Sequence, residues 1–217
     1  MSGGSPISVE WFAASSARAE PAPGLLLLHG ADGLTFADGY RTAAHMLAGS
    51  GYHVGFAHYL DRTGDHRVSY STLRQGFPLW AEAVRDGLSW LGERAEVDAA
   101  RLGIVGISLG AALGMEVASR DNRVRALVDY LGPVPEGLAA RRPRLPPTLI
   151  LHGAQDPIVP VRHAYDLETL LKDTRTPHEI QVYQGQGHGF FGMAQFDSAS
   201  RVSTFLDRHL KALEPVR

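Results

Sequence analysis

The sequence predicts an α/β fold, a mostly parallel central sheet with helices on both faces, built as a single domain over residues 1–217. Three observations predict it. Short apolar runs alternate with longer amphipathic ones, the pattern of strands joined by helical crossovers. Residues 24–28 read Gly-Leu-Leu-Leu-Leu, as expected of a strand buried on both faces. Gly106-Ile107-Ser108-Leu109-Gly110 lies between a strand-like run and a helix-like run, where a sharp bend is expected.

In chain order, residues 7–12 alternate weakly and are expected as an edge strand. Residues 13–23 are small and contain proline, so they read as a turn. After the strand at 24–28 comes the glycine loop 29–34. Residues 37–49 place Tyr40, Ala44, Leu47 and Ala48 on one helical face, with Gly51 as a stop. A strand is expected at 52–57, then a polar loop at 58–70. Trp80, Val84, Leu88 and Leu91 recur at helical spacing within a long helix at 73–94. A connector at 97–101 leads to the strand Leu102-Gly103-Ile104-Val105, and residues 111–118 read as a helix. Strands are expected at 125–131, 148–151 and 179–183, and helices at 161–171 and 194–213. The stretch between Leu131 and Thr148 is too short for an inserted cap, so an open site is expected.

Composition narrows the function classes. A chain of 217 residues can bury a sizeable core. Hydrophobic content of 44%, charged content of 20% and a net charge of −2 suit a globular protein. No long basic run is present, so neither nucleic acid nor membrane is an expected partner. The absence of cysteine excludes disulfides, thiolate metal sites and a cysteine nucleophile. A cytoplasmic location is the expectation, because Met1-Ser2-Gly3-Gly4-Ser5-Pro6 lacks a basic start followed by an apolar stretch. The sequence leaves the oligomeric state open.

The bend at residues 106–110 has the form of the nucleophile elbow of an α/β hydrolase, the Gly-x-Ser-x-Gly turn between strand and helix. Ser108 is the expected nucleophile. In this fold the partners follow in the order acid, then histidine. Asp156, just beyond the strand at 148–151, is the expected acid, and His188, within Gly187-His188-Gly189, the expected base. A serine hydroxyl attacks well only when a base removes its proton. The carboxylate would hold the imidazole in the correct tautomer. The backbone N–H groups of Ala31 and Leu109 are the expected oxyanion donors, and losing one such donor typically costs about 3 kcal/mol.

Other residues carry weaker signals. Asp129 is an outside candidate for the acid, but it lies inside an apolar strand. His29 and His152 are expected to be structural, bonded to neighbouring backbone. His58, Asp61, Asp65 and His66 match no short metal-ligand spacing, so they read as a solvated loop and no metal site is expected. Phe36, Tyr59, Phe190 and Phe191 are candidates to line the substrate pocket.

From about Gly24 onward the chain resembles the dienelactone hydrolase family. The resemblance rests on the glycine loop after Leu28, Gly51-Tyr52, Leu79-Trp80, the elbow, His152-Gly153-Ala154-Gln155-Asp156 and Gly187-His188-Gly189-Phe190. It implies a sheet of eight strands or slightly fewer, and hydrolysis without a metal or organic cofactor. The sequence departs from the founding pattern in two respects. Ser108 stands where the founding enzymes carry cysteine. Where they hold a substrate carboxylate with arginines, this chain has Phe190-Phe191-Gly192-Met193 and Leu73, with Arg74 beside the latter. The expected substrate is therefore a small neutral ester or lactone, cleaved through an acyl-serine. Thioester or amide hydrolysis by the same groups, and a non-catalytic ligand-binding role, are the alternatives. Whether Arg62 or Arg74 reaches the pocket is left open by the sequence.

Overall fold

The computed structural model of the protein describes residues 5–15 and 21–211. Part of the turn expected at 13–23, and the last two residues of the helix expected to 213, lie outside them. The strands are β1 (Val9–Phe12), β2 (Ala22–Leu28), β3 (His53–Ala57), β4 (Val97–Ile107), β5 (Val124–Tyr130), β6 (Thr148–Gly153) and β7 (His178–Tyr183). They form one seven-stranded sheet in the order β1-β3-β2-β4-β5-β6-β7. Only β1 runs antiparallel, against β3. The helices are α1 (Ala37–Gly49), α2 (Tyr70–Gly92), α3 (Leu109–Ala118), α4 (Leu138–Arg141), α5 (Arg162–Asp173) and α6 (Met193–Leu206).

Alternation along β2 shows how the two faces are built. Leu26 and Leu28 belong to the core on the side of α2, with its Trp80, Val84 and Leu88, and of α3; the same core continues under α5 at β6 and β7. Leu25 and Leu27 pack with Ala44 of α1 and with Val202 and Phe205 of α6. A period of two sends successive leucines to opposite faces, and both faces are covered. The site-bearing loops all leave the carboxyl end of this sheet, where ligands of open α/β sheets bind. No cap is inserted between β5 and β6. No helix among the described residues is long and apolar enough to cross a membrane.

The structure departs from the sequence-based expectation at five places. Residues 22 and 23, expected in the turn, begin β2. The connector expected at 97–101 is the first part of β4: Val97 and Asp98 pair with Ala22 and Pro23 before a register shift. The long helix starts earlier, where the Ser69 N–H donates to the Thr72 hydroxyl at 3.2 Å. Residues 138–141 form a short helix that the sequence reading did not contain. The loop at 58–70 is solvated only in part: Thr63, Gly64, His66, Arg67 and Ser69 are exposed, but its first turn is not. Residues Tyr59–Arg62 make a 3₁₀ turn in which Tyr59, Leu60 and Arg62 are buried.

Asp129 sits fully buried in β5, opposite Gly106 of β4 and Ile150 of β6. One carboxyl oxygen accepts the Gly132 N–H at 2.9 Å, and the other is buried with no partner. Burial pushes this carboxyl up to about 7, and the Gly132 bond opposes the shift only in part. A raised folded pKa means stability that is full below about 4 and is lost as pH rises through about 7. Asp129→Asn keeps an acceptor for Gly132 and cannot ionise. Its Tm relative to the parent is expected to improve by at least about 5 °C between pH 5 and pH 8, since 1 kcal/mol moves a domain of this size by ~2–4 °C. Calorimetry at the two pH values reads this, and an unchanged difference would refute the titration.

Candidate active site

The bend after β4 is sharp. Ser108 has φ 54° and ψ −117°, a region that L-residues rarely occupy. Two glycines make it possible. A Cβ on Gly106 would lie 2.5 Å from the Ala111 Cα, and one on Gly110 would lie 2.5 Å from the His29 carbonyl oxygen. The Ser108 N–H donates to the Tyr130 carbonyl at 2.8 Å, which ties the bend to the end of β5. α3 begins at Leu109, so its unpaired N-terminal N–H groups lie beside the serine.

The three expected side chains come together from three strands. Ser108 Oγ lies 3.0 Å from His188 Nε2, and His188 Nδ1 lies 2.7 Å from Asp156 Oδ2. Asp156 follows β6, and its other oxygen accepts the N–H groups of Ile158 and Val159 at 2.8 and 2.9 Å. The turn therefore fixes one oxygen and leaves the other for the imidazole. Asp129, the outside candidate, is committed to Gly132 instead. His152 stands behind Asp156, donating from Nε2 to the Val159 carbonyl at 2.9 Å. Burial lowers its pKa and keeps it neutral.

Two glutamines fix the Asp156 and His188 loops, Gln155 across them and the Gln186 side chain within the second. The Gly185 N–H donates to Gln155 Oε1 at 2.6 Å, and the Phe191 N–H donates to Gln186 Oε1 at 2.8 Å. The Gln155 N–H donates to the Gln186 carbonyl at 3.0 Å. Gly153 allows this approach, because a Cβ there would lie 2.2 Å from the Gly187 carbonyl oxygen. Nothing in the sequence pattern assigns a role to Gln155 or Gln186. A bond between two loops leaves no spacing signature.

The loop after β2 is held by a polar network. The Gly30 N–H donates to the Tyr40 hydroxyl at 3.0 Å, which donates to Asp32 Oδ1 at 2.9 Å. The Tyr59 hydroxyl donates to the His29 carbonyl at 2.9 Å, and its ring stacks on the His29 ring. His29 Nδ1 donates to the Gly30 carbonyl at 2.8 Å. Burial lowers the His29 pKa to about 4, so the ring is neutral, and burial raises both tyrosine hydroxyls. A Cβ on Gly30 would lie 3.5 Å from the Ser108 Cβ, which places this loop against the elbow. The N–H groups of Ala31 and Leu109 make no hydrogen bond within the described residues. Tyr40, expected only as part of a helix face, is the tie between α1 and this loop.

The candidate lining residues divide. Phe36 and Phe191 are 69% and 76% exposed, and Phe36 lines a groove between α1 and α6. Tyr59 does not line the pocket, because its ring is fully buried beneath the Ala31 loop. Phe190 is buried as well, its ring packed on those of Tyr130 and Tyr183 at 4.8 and 4.5 Å. Both aromatic rings anchor loops. Arg62 turns inward to Asp86 of α2 at 2.6 Å, and Arg74 is exposed on that helix. His58 Nε2 bonds Glu10 at 2.9 Å, and Asp61 accepts the Ser8 N–H. Among the described residues, no group of three or more His, Asp or Glu is placed to hold a metal.

Comparison with known proteins agrees with this architecture. The family model described as the dienelactone hydrolase family matches residues 9–211. No curated protein matches the sequence. Among solved structures, a dienelactone hydrolase-like promiscuous phosphotriesterase from metagenomic libraries superimposes with a TM-score of 0.78 at 18% identity, over 94% of this chain and 99% of its own. A puromycin-hydrolyzing peptidase of Mycobacterium tuberculosis gives 0.78 at 19%, over 98% of this chain and 38% of its own. The esterase PE8 gives 0.71 at 20%, over 95% and 100%. At these identities the structural likenesses speak for the fold, and the match over residues 9–211 settles the family: the chain is an α/β-fold member of the dienelactone hydrolase family.

Proposed function

We propose that the protein hydrolyses a small neutral carboxylic ester or lactone through an acyl-serine intermediate. The observation that carries this reading is the chain Ser108 Oγ to His188 Nε2 at 3.0 Å and His188 Nδ1 to Asp156 at 2.7 Å, set on a strained elbow. Such distances are those of a nucleophile in reach of its base and a base in reach of its orienting acid.

The steps follow from the geometry. Ser108 Oγ attacks the ester carbonyl carbon while His188 Nε2 takes its proton. The carbonyl oxygen becomes an oxyanion facing the free N–H groups of Ala31 and Leu109. Asp156 stabilises the imidazolium without taking the proton. Collapse of the tetrahedral intermediate expels the alcohol oxygen, which receives the proton from His188. Water then repeats the sequence on the acyl-serine, and the carboxylic acid departs. No metal or organic cofactor takes part in this scheme.

Substrate charge follows from the same site. A buried carboxylate needs a paired cation. Arg62 is turned to Asp86, and Gly192 and Leu73 stand where the founding enzymes carry arginine. This favours a neutral substrate.

Two measurements test the proposal. Ser108→Ala and His188→Ala are each expected to lower kcat by at least about 1,000-fold, with the double variant little worse, because the groups act as a unit. Fluorophosphonate labelling is expected to vanish in Ser108→Ala. A fully active Ser108→Ala, or multiplicative losses in the double variant, would overturn the assignment. For charge, neutral and carboxylated esters of matched size are compared by kcat/KM. The neutral ester is expected to be the better substrate. A tenfold advantage for the anion, about 1.4 kcal/mol of transition-state preference, would show that a displaced arginine serves the site.

A further inference from the structure

Between α1 and α6 runs a groove of about 430 Å³, within the size range of small-molecule sites. Its floor is the sheet face at Leu27, Val105, Ile107 and Tyr130. Its wall follows α1 from Phe36 to Ser50, so its length is that of a thirteen-residue helix, about 20 Å. α1 continues the loop of Ala31, and α6 continues the loop of His188. The Phe36 end of the groove therefore lies at the carboxyl end of the sheet, as Ser108 does, while Ser108 itself is outside the groove's lining.

Three lining residues have their other ends in the candidate catalytic machinery. Ile107 immediately precedes Ser108. The Tyr130 carbonyl accepts the Ser108 N–H. The Tyr40 hydroxyl joins Gly30 to Asp32. The groove is thus contiguous with the elbow along the chain and through hydrogen bonds.

The chemistry of the lining points to one kind of occupant. Most of its hydroxyls are already engaged by the protein, and the other polar side chains of the lining, Gln195 and Ser203, both lie on α6. Thr42 donates to the Asp38 carbonyl, Ser50 to the Met46 carbonyl, and Ser198 bonds both the Gln195 carbonyl and the Tyr130 hydroxyl. These groups have little left to offer a sugar or a peptide backbone. Phe36 and Met46, by contrast, leave 69% and 59% of their surface in water along the wall. An apolar guest would cover them, which is favourable in proportion to the area removed from water.

We propose that this groove receives the hydrocarbon arm of the ester, a linear alkyl chain running from Ser108 along α1. This rests on the ester-hydrolase reading above and deepens it from small neutral esters to esters with an extended apolar arm.

Two ester series test it on the full-length protein, one varying the acyl chain of p-nitrophenyl esters from two to ten carbons, the other varying the alcohol of alkyl acetates. In one series kcat/KM is expected to rise about fourfold per methylene until the groove is filled, from the usual worth of a buried methylene. Ala43→Phe and Ala199→Phe put a ring into the groove from its two walls. Each is expected to lower the long-to-short ratio of kcat/KM at least tenfold. Ser200→Phe, on α6 outside the groove, is expected to leave that ratio unchanged. Ratios that do not move in either series would overturn the proposal. Calorimetric binding of 1-octanol gives a readout independent of the chemistry, and it is expected to weaken at least tenfold in Ala199→Phe; equal binding by both proteins overturns the groove. Failure of the two readings is distinguishable. If no ester is cleaved and Ser108 resists fluorophosphonate, the hydrolase reading falls while octanol still reports on the groove. If short esters are cleaved and the ratios stay fixed, only the groove assignment falls.

Discussion

A positive φ of 54° at Ser108 costs an L-residue about 1–3 kcal/mol, so the surrounding fold has to impose it. Three restraints do so. The Ser108 N–H is tied to the Tyr130 carbonyl of the neighbouring strand. Gly106 lets the first turn of α3 cross over β4, and Gly110 lets that turn press against the last carbonyls of β2. A side chain at either glycine would push α3 away and let the bend relax. The serine hydroxyl, the Leu109 N–H and the Ala31 loop would then lose their common geometry. The elbow thus sets the position of both the Ser108 hydroxyl and the neighbouring backbone N–H groups.

Around that bend, the loops are fixed by pairs of polar groups rather than by secondary structure. Tyr40, Tyr59 and His29 tether the Ala31 loop, and burial keeps all three uncharged. Gln155 holds the Asp156 loop to the His188 loop, and the Gln186 side chain braces the His188 loop internally. Buried hydrogen bonds are strong in a low-dielectric interior, and an unmade one is costly there. The loops accordingly hold a single arrangement, the condition for electrostatic preorganisation.

Local pattern made much of this legible. The leucine run of β2, the helical spacing of Trp80, Val84 and Leu88, and the glycine-flanked serine each announce themselves within a few residues. Asp156 and His188 could be named because the order of the groups is fixed by the order of the strands. What escaped reading depends on distant partners. Asp98 to Arg101 look like a connector because they carry no apolar alternation, yet the first of β4's residues pair with β2. The segment around Arg62 looks solvated because it is charged, but Glu10, Asp86 and Ser8 meet those charges from other elements. α4 spans four residues, about one turn, too few for a periodicity. The inward turn of Tyr59 and Phe190 follows from what surrounds them in space.

The spread of the site along the chain has a kinetic consequence. Ser108 and His188 are 80 residues apart and Asp156 and His188 are 32 apart, and their elements meet only across parallel pairings that run from β4 to β7. Closing such long loops is entropically expensive, and parallel pairings are among the slow events of folding. No fragment shorter than the span from β4 to the His188 loop contains the hydrogen-bonded set. Assembly of the Ser108–His188–Asp156 set in this chain is therefore a late event: it registers completion of the sheet, whereas helical or fluorescence signals register its parts.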